Sequence, residues 1–206
     1  IFNRLNFLNS RMYGYCFTCL YSFLNPFITL WIGEQYTFSE MTVFLLVLTF
    51  LVPGMNNIIN IYKDACGLFW ETRFRTLITA LINIISSIIL VLFLGINGIL
   101  LGTIIAYLTT IYIVDPILVY KKIFKKNVLT YYFQLFKNCV FLLIVNLIVL
   151  SYTKHLSYSN ITVLVLIFLV TSFVYLIATV IVYHGNEQFK YYFTLLKNYV
   201  STHLGA

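Results

Sequence analysis

A single carboxylate, Asp115, lies inside a long apolar run of this 206-residue chain. Pro116 follows it directly, and four lysines come next in the stretch IYIVDPILVYKKIFKK, residues 111–126. A carboxylate in such surroundings could move a proton or a cation through a membrane transporter, or it could form an ion pair with a neighbouring cation. Because an unpaired buried carboxylate is costly, the ion pair is favoured if an arginine comes within reach.

A second group of polar residues interrupts the apolar sequence between residues 53 and 64, which begins with Pro53 and contains three asparagines. Positions 53, 57, 60 and 64 fall on one face of a helix. A bent helix with a polar stripe is typical of the wall of a wet cavity in a transporter. The alternative is that these asparagines hydrogen-bond to adjacent helices and hold them together.

The elements that must position these residues are membrane-spanning helices. The chain is 61% hydrophobic and only 9% charged, with a mean hydropathy of +0.93, whereas soluble domains average about 25% charged residues. We therefore predict an all-α polytopic membrane protein made of one transmembrane domain with six helices. The predicted spans are 12–32, 41–62, 74–94, 98–120, 138–153 and 161–183.

The distribution of positive charge gives these spans a direction. With the N-terminal end placed inside, twelve of the thirteen lysines and arginines fall in inner segments and only Lys154 falls outside. This predicts that both ends of the chain are cytoplasmic. The amphipathic segments 121–137 and 184–206 are predicted to lie on anionic lipids of the inner leaflet. The net charge of +7 then reflects loop cations, and no nucleic-acid partner is predicted.

The third and fourth spans are expected to form a tight hairpin, because only GIN separates them and Gly98 and Gly102 have the spacing G-x-x-x-G. Folding residues 74–120 about Ile96 brings Asp115 level with Leu77, about 8 Å from the inner end of its helix. A pair with Arg75 or Arg73 is the favoured role for Asp115. Coupling to a proton, and contact with water or with another part of the protein, remain as alternatives. Pro116 is expected to kink the helix.

Residues that could form a catalytic or metal centre are scarce. Cys16 and Cys19 form C-x-x-C within an apolar helix and have no second pair, and His155, His184 and His203 are scattered over loops and the tail. A metal site or a membrane enzyme would need such residues clustered near one face. No catalytic residues, metal or cofactor are predicted.

Four stretches of the chain resemble a known family. They are NPFITLWIGEQY (25–36), YKDACGLFWETRFRTLITALINIISSIIL (62–90), GINGILLGT (95–103) and DPILVYKKIF (115–124). They are similar, in this order, to bacterial oligosaccharide flippases, the polysaccharide-biosynthesis transporters of the multidrug/oligosaccharidyl-lipid/polysaccharide exporter superfamily. The resemblance is greatest at Gly67–Leu68–Phe69, at the helix around Asn83 and at Gly102–Thr103, and it covers residues 25–124. The last two spans are similar in hydropathy alone.

This resemblance implies a transporter of twelve to fourteen helices, arranged in two lobes around a central cavity and working by alternating access. It implies a bacterial cytoplasmic-membrane protein that moves a polyprenyl-diphosphate-linked oligosaccharide from the inner to the outer leaflet, for the synthesis of surface polysaccharide such as O-antigen or capsule. The chain begins with Ile1 and would be a C-terminal fragment, forming most of the second lobe and needing the N-terminal lobe as its partner.

The candidate site residues follow from this expectation. Asn56, Asn60 and Asn83 are candidates to hydrogen-bond the sugars, and a cluster of cations at the inner rim would attract the diphosphate. These cations are Lys63, Arg73 and Arg75. Two other functions are weighed: a multidrug or cation antiporter of the same superfamily, for which Asp115 is the one available carboxylate, and a membrane-embedded polysaccharide polymerase or acyltransferase.

Overall fold

The computed structural model describes residues 1–153 and 160–204, and α-helices make up most of this part of the chain. The helices are α1 Phe2–Trp31, α2 Glu40–Met55, α3 Asn57–Ala65, α4 Phe69–Thr72, α5 Arg75–Leu94, α6 Ile96–Thr109, α7 Ile111–Leu118, α8 Leu129–Thr153, α9 Ile161–Tyr183 and α10 Glu187–Leu204. The described residues contain no strand, which confirms the predicted all-α class. Lys154 and His155 lie outside the described residues.

Five of the six predicted spans coincide with helical segments that are long and apolar enough to cross a membrane. Within the described residues these segments are Glu40–Ala65, Phe69–Leu94, Ile96–Phe124, Leu129–Thr153 and Ile161–Tyr183. The chain is thus a helical protein with the character of a polytopic membrane protein. The first predicted span, 12–32, belongs to the 30-residue helix α1, which is not among the five.

Helix α1 is less apolar than these five segments. It lies in the centre of the bundle, where it packs against α2, α8 and α9. The main core joins these four helices and includes Phe17, Val47, Val145 and Tyr175, one from each. Several polar residues of α1 are buried in this packing, among them Asn6, Ser10, Arg11, Thr18 and Ser22. A helix surrounded by other helices can carry such residues, because its polar groups meet protein rather than lipid.

The span Glu40–Ala65 is broken at Asn56, between α2 and α3 and three residues after Pro53. Side chains from neighbouring helices bind backbone carbonyls near this break. Asn9 Nδ2 donates to the carbonyl of Gly54 at 2.8 Å, and the Tyr112 hydroxyl donates to the carbonyl of Val52 at 2.6 Å. A proline-containing helix is tolerated within a bundle when such partners satisfy its free backbone groups.

The second break in a span lies at Thr110, six residues before Pro116 and between α6 and α7. Helix α7 continues through Pro116 to Leu118 and is followed by a π-helical turn at 119–124. Because Pro116 has no N–H, the carbonyl four residues earlier, on Tyr112, has no helical partner. The Tyr132 hydroxyl donates to that carbonyl at 2.9 Å, so α8 replaces the bond that the proline removes.

The hairpin of α5 and α6 forms as predicted, with the backbones in close contact at two glycines. A Cβ on Gly98 would overlap the Leu90 carbonyl, and one on Gly102 would overlap the backbone of Ser87. Only glycine allows this approach. Helix α5 contains no buried residue and lies at the edge of the bundle, with α6 as its main neighbour.

The two predicted surface segments have different structures. Segment 121–137 is divided: residues 121–124 complete the π-helical turn, Lys125 adopts a left-handed conformation with φ 50°, and residues 129–137 are the first turns of helix α8. The span predicted at 138–153 is lengthened by these turns. Segment 184–206 contains the separate helix α10, joined to α1 by Arg4, whose guanidinium lies 3.8 Å from the ring centre of Tyr191.

Candidate functional site

Asp115 forms the centre of a buried charge cluster where α3, α5 and α7 meet. The carboxylate is fully buried, and its Oδ2 accepts a hydrogen bond from Arg75 Nη1 at the start of α5. This confirms the predicted ion pair between the two arms of the hairpin. The alternative pair with Arg73 does not form, since the guanidinium of Arg73 stacks on the ring of Trp70 at 3.6 Å and is exposed.

Lys63 is a second cation in this cluster, and the sequence did not predict its position. Its side chain is 3% exposed, and its Nζ lies 3.8 Å from Asp115 Oδ1 and 3.4 Å from Asp64 Oδ1. Lys63 comes close because α3 packs against α7, a contact between spans two and four that local spacing does not specify. The two cations are balanced by two carboxylates, of which Asp64 is partly exposed.

Asn60 connects the two cations. Its Oδ1 accepts a hydrogen bond from Lys63 Nζ at 2.8 Å and lies 3.4 Å from both terminal nitrogens of Arg75. We call Asn60, Lys63, Arg75 and Asp115 the Asp115 cluster. Within it Lys63 and Asn60 are occupied by neighbouring side chains, so in this conformation they form an ion network rather than an open binding surface.

Asn56 hydrogen-bonds to an adjacent helix, which was the alternative to lining a cavity. The residue is 1% exposed, and its Oδ1 accepts a hydrogen bond from the Tyr131 hydroxyl of α8 at 3.0 Å. It therefore ties the break between α2 and α3 to α8 instead of facing open space. Its Nδ2 has no hydrogen-bond partner in the described part of the chain.

A polar groove of about 320 Å³ runs along the α5–α6 hairpin. Arg75, Thr79 and Asn83 line it at four-residue intervals on α5, and Thr103 lines it from α6. Thr103 donates to Asn83 Oδ1 at 3.3 Å. The side chain of Arg75 is 15% exposed. It donates to Asp115 on one side and lines the beginning of the groove on the other. This groove holds one predicted substrate-binding residue, Asn83, and one predicted phosphate-attracting residue, Arg75.

The chemistry available at this site is that of binding. Among the described residues no three His, Cys, Asp or Glu side chains lie close enough together to hold a metal ion. The groove offers a guanidinium, hydroxyls and an amide, which bind phosphates and sugar hydroxyls by hydrogen bonds. Asp115 is separated from open space by the two cations, so proton or cation exchange at this carboxylate would require the cluster to open.

Comparison with known proteins adds no relative: no family model, curated protein or solved structure matches the chain.

Proposed function

We propose that the chain is most of the C-terminal lobe of a two-lobed bacterial transporter that moves polyprenyl-diphosphate-linked oligosaccharides from the inner to the outer leaflet. The observation that carries the proposal is the polar groove of the α5–α6 hairpin. A groove with hydroxyl and amide groups along its length and a guanidinium at one end, set in an apolar helix pair, suits a substrate with sugar and phosphate parts.

The arrangement of groups along α5 supports this assignment. Arg75, Thr79 and Asn83 share one helix face over two turns, about 12 Å. That length accommodates a diphosphate at Arg75 and one or two sugar rings towards Asn83. The exposed Arg73, two residues before Arg75, would attract the diphosphate from the membrane surface.

The position of the hairpin supports a two-lobed transporter. Because α5 has no buried residue, the groove lies at the edge of this bundle rather than in its centre. A first lobe packed along that edge would close the groove into a cavity, and rocking of the lobes would open it to each leaflet in turn. Anionic lipids of the inner leaflet would meet the lysine-rich turn and α10.

The antiporter alternative has less support. It requires a carboxylate that can exchange a cation with the cavity, whereas Asp115 is fully buried between Arg75 and Lys63. The enzyme alternative requires a set of reactive groups, and the cluster and groove described here consist of binding groups. Neither alternative has an observation of its own in its favour.

The transport proposal is tested by removing one hydroxyl from the groove. Thr103→Val keeps the side-chain shape and removes one of the two hydroxyl donors to Asn83 Oδ1, the other being Ser87. The matched control is Thr109→Val on the same helix, whose hydroxyl bonds only carbonyls of its own helix. One lost hydrogen bond of about 0.5–1.5 kcal/mol corresponds to roughly a two- to tenfold slower flipping of the lipid-linked oligosaccharide. Equal rates for the two variants at equal protein level would contradict a substrate role for the groove.

The proposed topology has six spans, including α1, with both ends in the cytoplasm. Single cysteines can be placed at Ile1, Gln35 and Asn127 in a background in which the four native cysteines are replaced. A membrane-impermeant thiol reagent should label the cysteine at position 35 in intact cells and leave the other two unlabelled until the cells are opened. Labelling of positions 1 and 35 from the same side would show that α1 does not cross.

A further inference from the structure

A second polar pocket lies away from the hairpin, between the first turns of α1 and α8 and the connection from α9 to α10. Its volume is about 170 Å³. Side-chain amides dominate its lining, and they come from three separate parts of the chain: Asn3, Asn6, Gln134, Asn138, Asn186 and Gln188. Among the described residues Lys137 is the charged residue in the lining, and no carboxylate lines it. We call this the amide pocket.

The amide pocket contains a buried acceptor without a partner. Asn6 is 7% exposed, and its Oδ1 has no hydrogen-bond partner among the described residues. A buried amide oxygen without a donor costs about 1–3 kcal/mol. The pocket therefore borders a buried acceptor, which a hydroxyl or N–H group from outside the chain would reach after a small movement of the Asn6 side chain.

Behind the pocket lies a buried cation without a matching anion. Arg11 of α1 is 6% exposed, and its Nη2 donates to Asn138 Oδ1 at 2.5 Å. Its Nε and Nη1 have no partner, and no carboxylate of the described residues forms an ion pair with it. The rings of Phe141 and Tyr183 enclose the guanidinium at 4.6 and 4.4 Å. Together with Lys137 this gives the amide pocket a positive potential that an anion would neutralise.

An apolar groove continues from the amide pocket between α8 and α9. Its volume is about 780 Å³, and Lys137, Tyr183 and Asn186 line both spaces. The groove extends along α8 from Phe133 to Ile148, which is about 22 Å of helix. A bilayer has a hydrocarbon core about 30 Å thick, so this length exceeds one leaflet. The combined site is therefore amphiphilic, with a polar, positive end and an apolar extension long enough for an acyl chain.

We propose that this site binds one anionic phospholipid of the phosphatidylglycerol class. The headgroup phosphate lies by Lys137 in the field of Arg11, a free headgroup hydroxyl donates to Asn6 Oδ1, and one acyl chain fills the α8–α9 groove. An ammonium headgroup is disfavoured, because it would face Lys137 and Arg11 without a carboxylate in the lining. This inference does not depend on the transport function, since the site shares no residue with the α5–α6 groove.

Native mass spectrometry of the purified full chain tests the proposal. The protein is offered phosphatidylglycerol, phosphatidylcholine and phosphatidic acid with identical acyl chains. We expect one phosphatidylglycerol to be retained in preference to phosphatidylcholine, because only the former is anionic. We also expect it to be retained in preference to phosphatidic acid, which has the phosphate but lacks the glycerol headgroup whose hydroxyl would reach Asn6. Equal retention of phosphatidylglycerol and phosphatidylcholine would overturn the proposal, and so would equal retention of phosphatidylglycerol and phosphatidic acid.

A pair of lysine variants locates the binding. Lys137→Gln removes the charge from the lining and should weaken phosphatidylglycerol binding about tenfold, as expected for a charge-assisted hydrogen bond. Lys197→Gln removes one exposed charge from α10, outside the pocket, and should change binding less than twofold. Equal effects of the two substitutions would show non-specific attraction of anionic lipid to a basic surface and would contradict a defined site.

Discussion

Substitution of Asp115 by asparagine should destabilise the protein strongly while keeping its shape. The carboxylate is fully buried, accepts a hydrogen bond from Arg75 and lies 3.8 Å from Lys63 Nζ. At that distance a charge pair interacts by about 4 kcal/mol at an effective dielectric of about 20. Removal of one partner from a buried ion pair costs about 3–5 kcal/mol, because the other charge stays buried and uncompensated. We expect Asp115→Asn to lower the free energy of unfolding by about that amount.

Thermal unfolding of the purified protein in one detergent, together with its level in the membrane, measures this effect. Removing Lys63 as well should restore part of the loss, since Asp115→Asn with Lys63→Met leaves one cation, Arg75, without the Asp115 carboxylate instead of two. The control is Glu71→Gln, which breaks the partly exposed pair with Lys122 and should change stability little. If Asp115→Asn unfolds like the parent protein while transport loses its pH response, Asp115 is a coupling residue and its structural role is refuted.

Three further substitutions test other parts of the structure. Gly102→Leu should separate α5 from α6 and cost about 1–3 kcal/mol of stability by overpacking, whereas Gly185→Ala, whose Cβ meets no atom, should be neutral in the same melting assay. Tyr132→Phe removes the hydroxyl that donates to the Tyr112 carbonyl and should lower the free energy of unfolding by about 1 kcal/mol. Tyr36→Phe, at an exposed position, is the control and should cause no change, so equal melting temperatures of the two variants would contradict the role of Tyr132. Arg73→Gln should reduce the appearance of lipid-linked oligosaccharide at the outer face. Because this arginine is exposed, the protein level should not fall. Unaltered polysaccharide output would exclude its role in attracting the diphosphate.

The hairpin and its ion pair could be predicted because they depend on local information. A three-residue connection, two glycines four residues apart and the rise of a helix are enough to place Asp115 within reach of Arg75. The position of Lys63 could not be predicted in this way, because it depends on how span two packs against span four. Hydropathy locates the spans approximately but does not specify the neighbours of each span.

The asparagines show the same limit. A polar stripe on a helix predicts that the stripe avoids lipid, and both a cavity and a neighbouring helix satisfy that requirement. Asn56 meets Tyr131 and Asn83 lines a groove, although the sequence presents both as amides among apolar residues. The amide pocket could not be predicted from the sequence, since its six amides come from three separate segments and become neighbours only when α1, α8 and the connection from α9 to α10 pack together.

Flipping of a lipid-linked oligosaccharide is the most direct test of the central proposal. The transporter, comprising this chain and its proposed first lobe, would be reconstituted in vesicles that carry a fluorescent polyprenyl-diphosphate oligosaccharide in both leaflets. An impermeant reagent then destroys the label in the outer leaflet. We expect the protected half of the label to become accessible with the parent protein and much more slowly with Thr103→Val. A protected fraction that stays constant in vesicles containing the folded parent protein would contradict it.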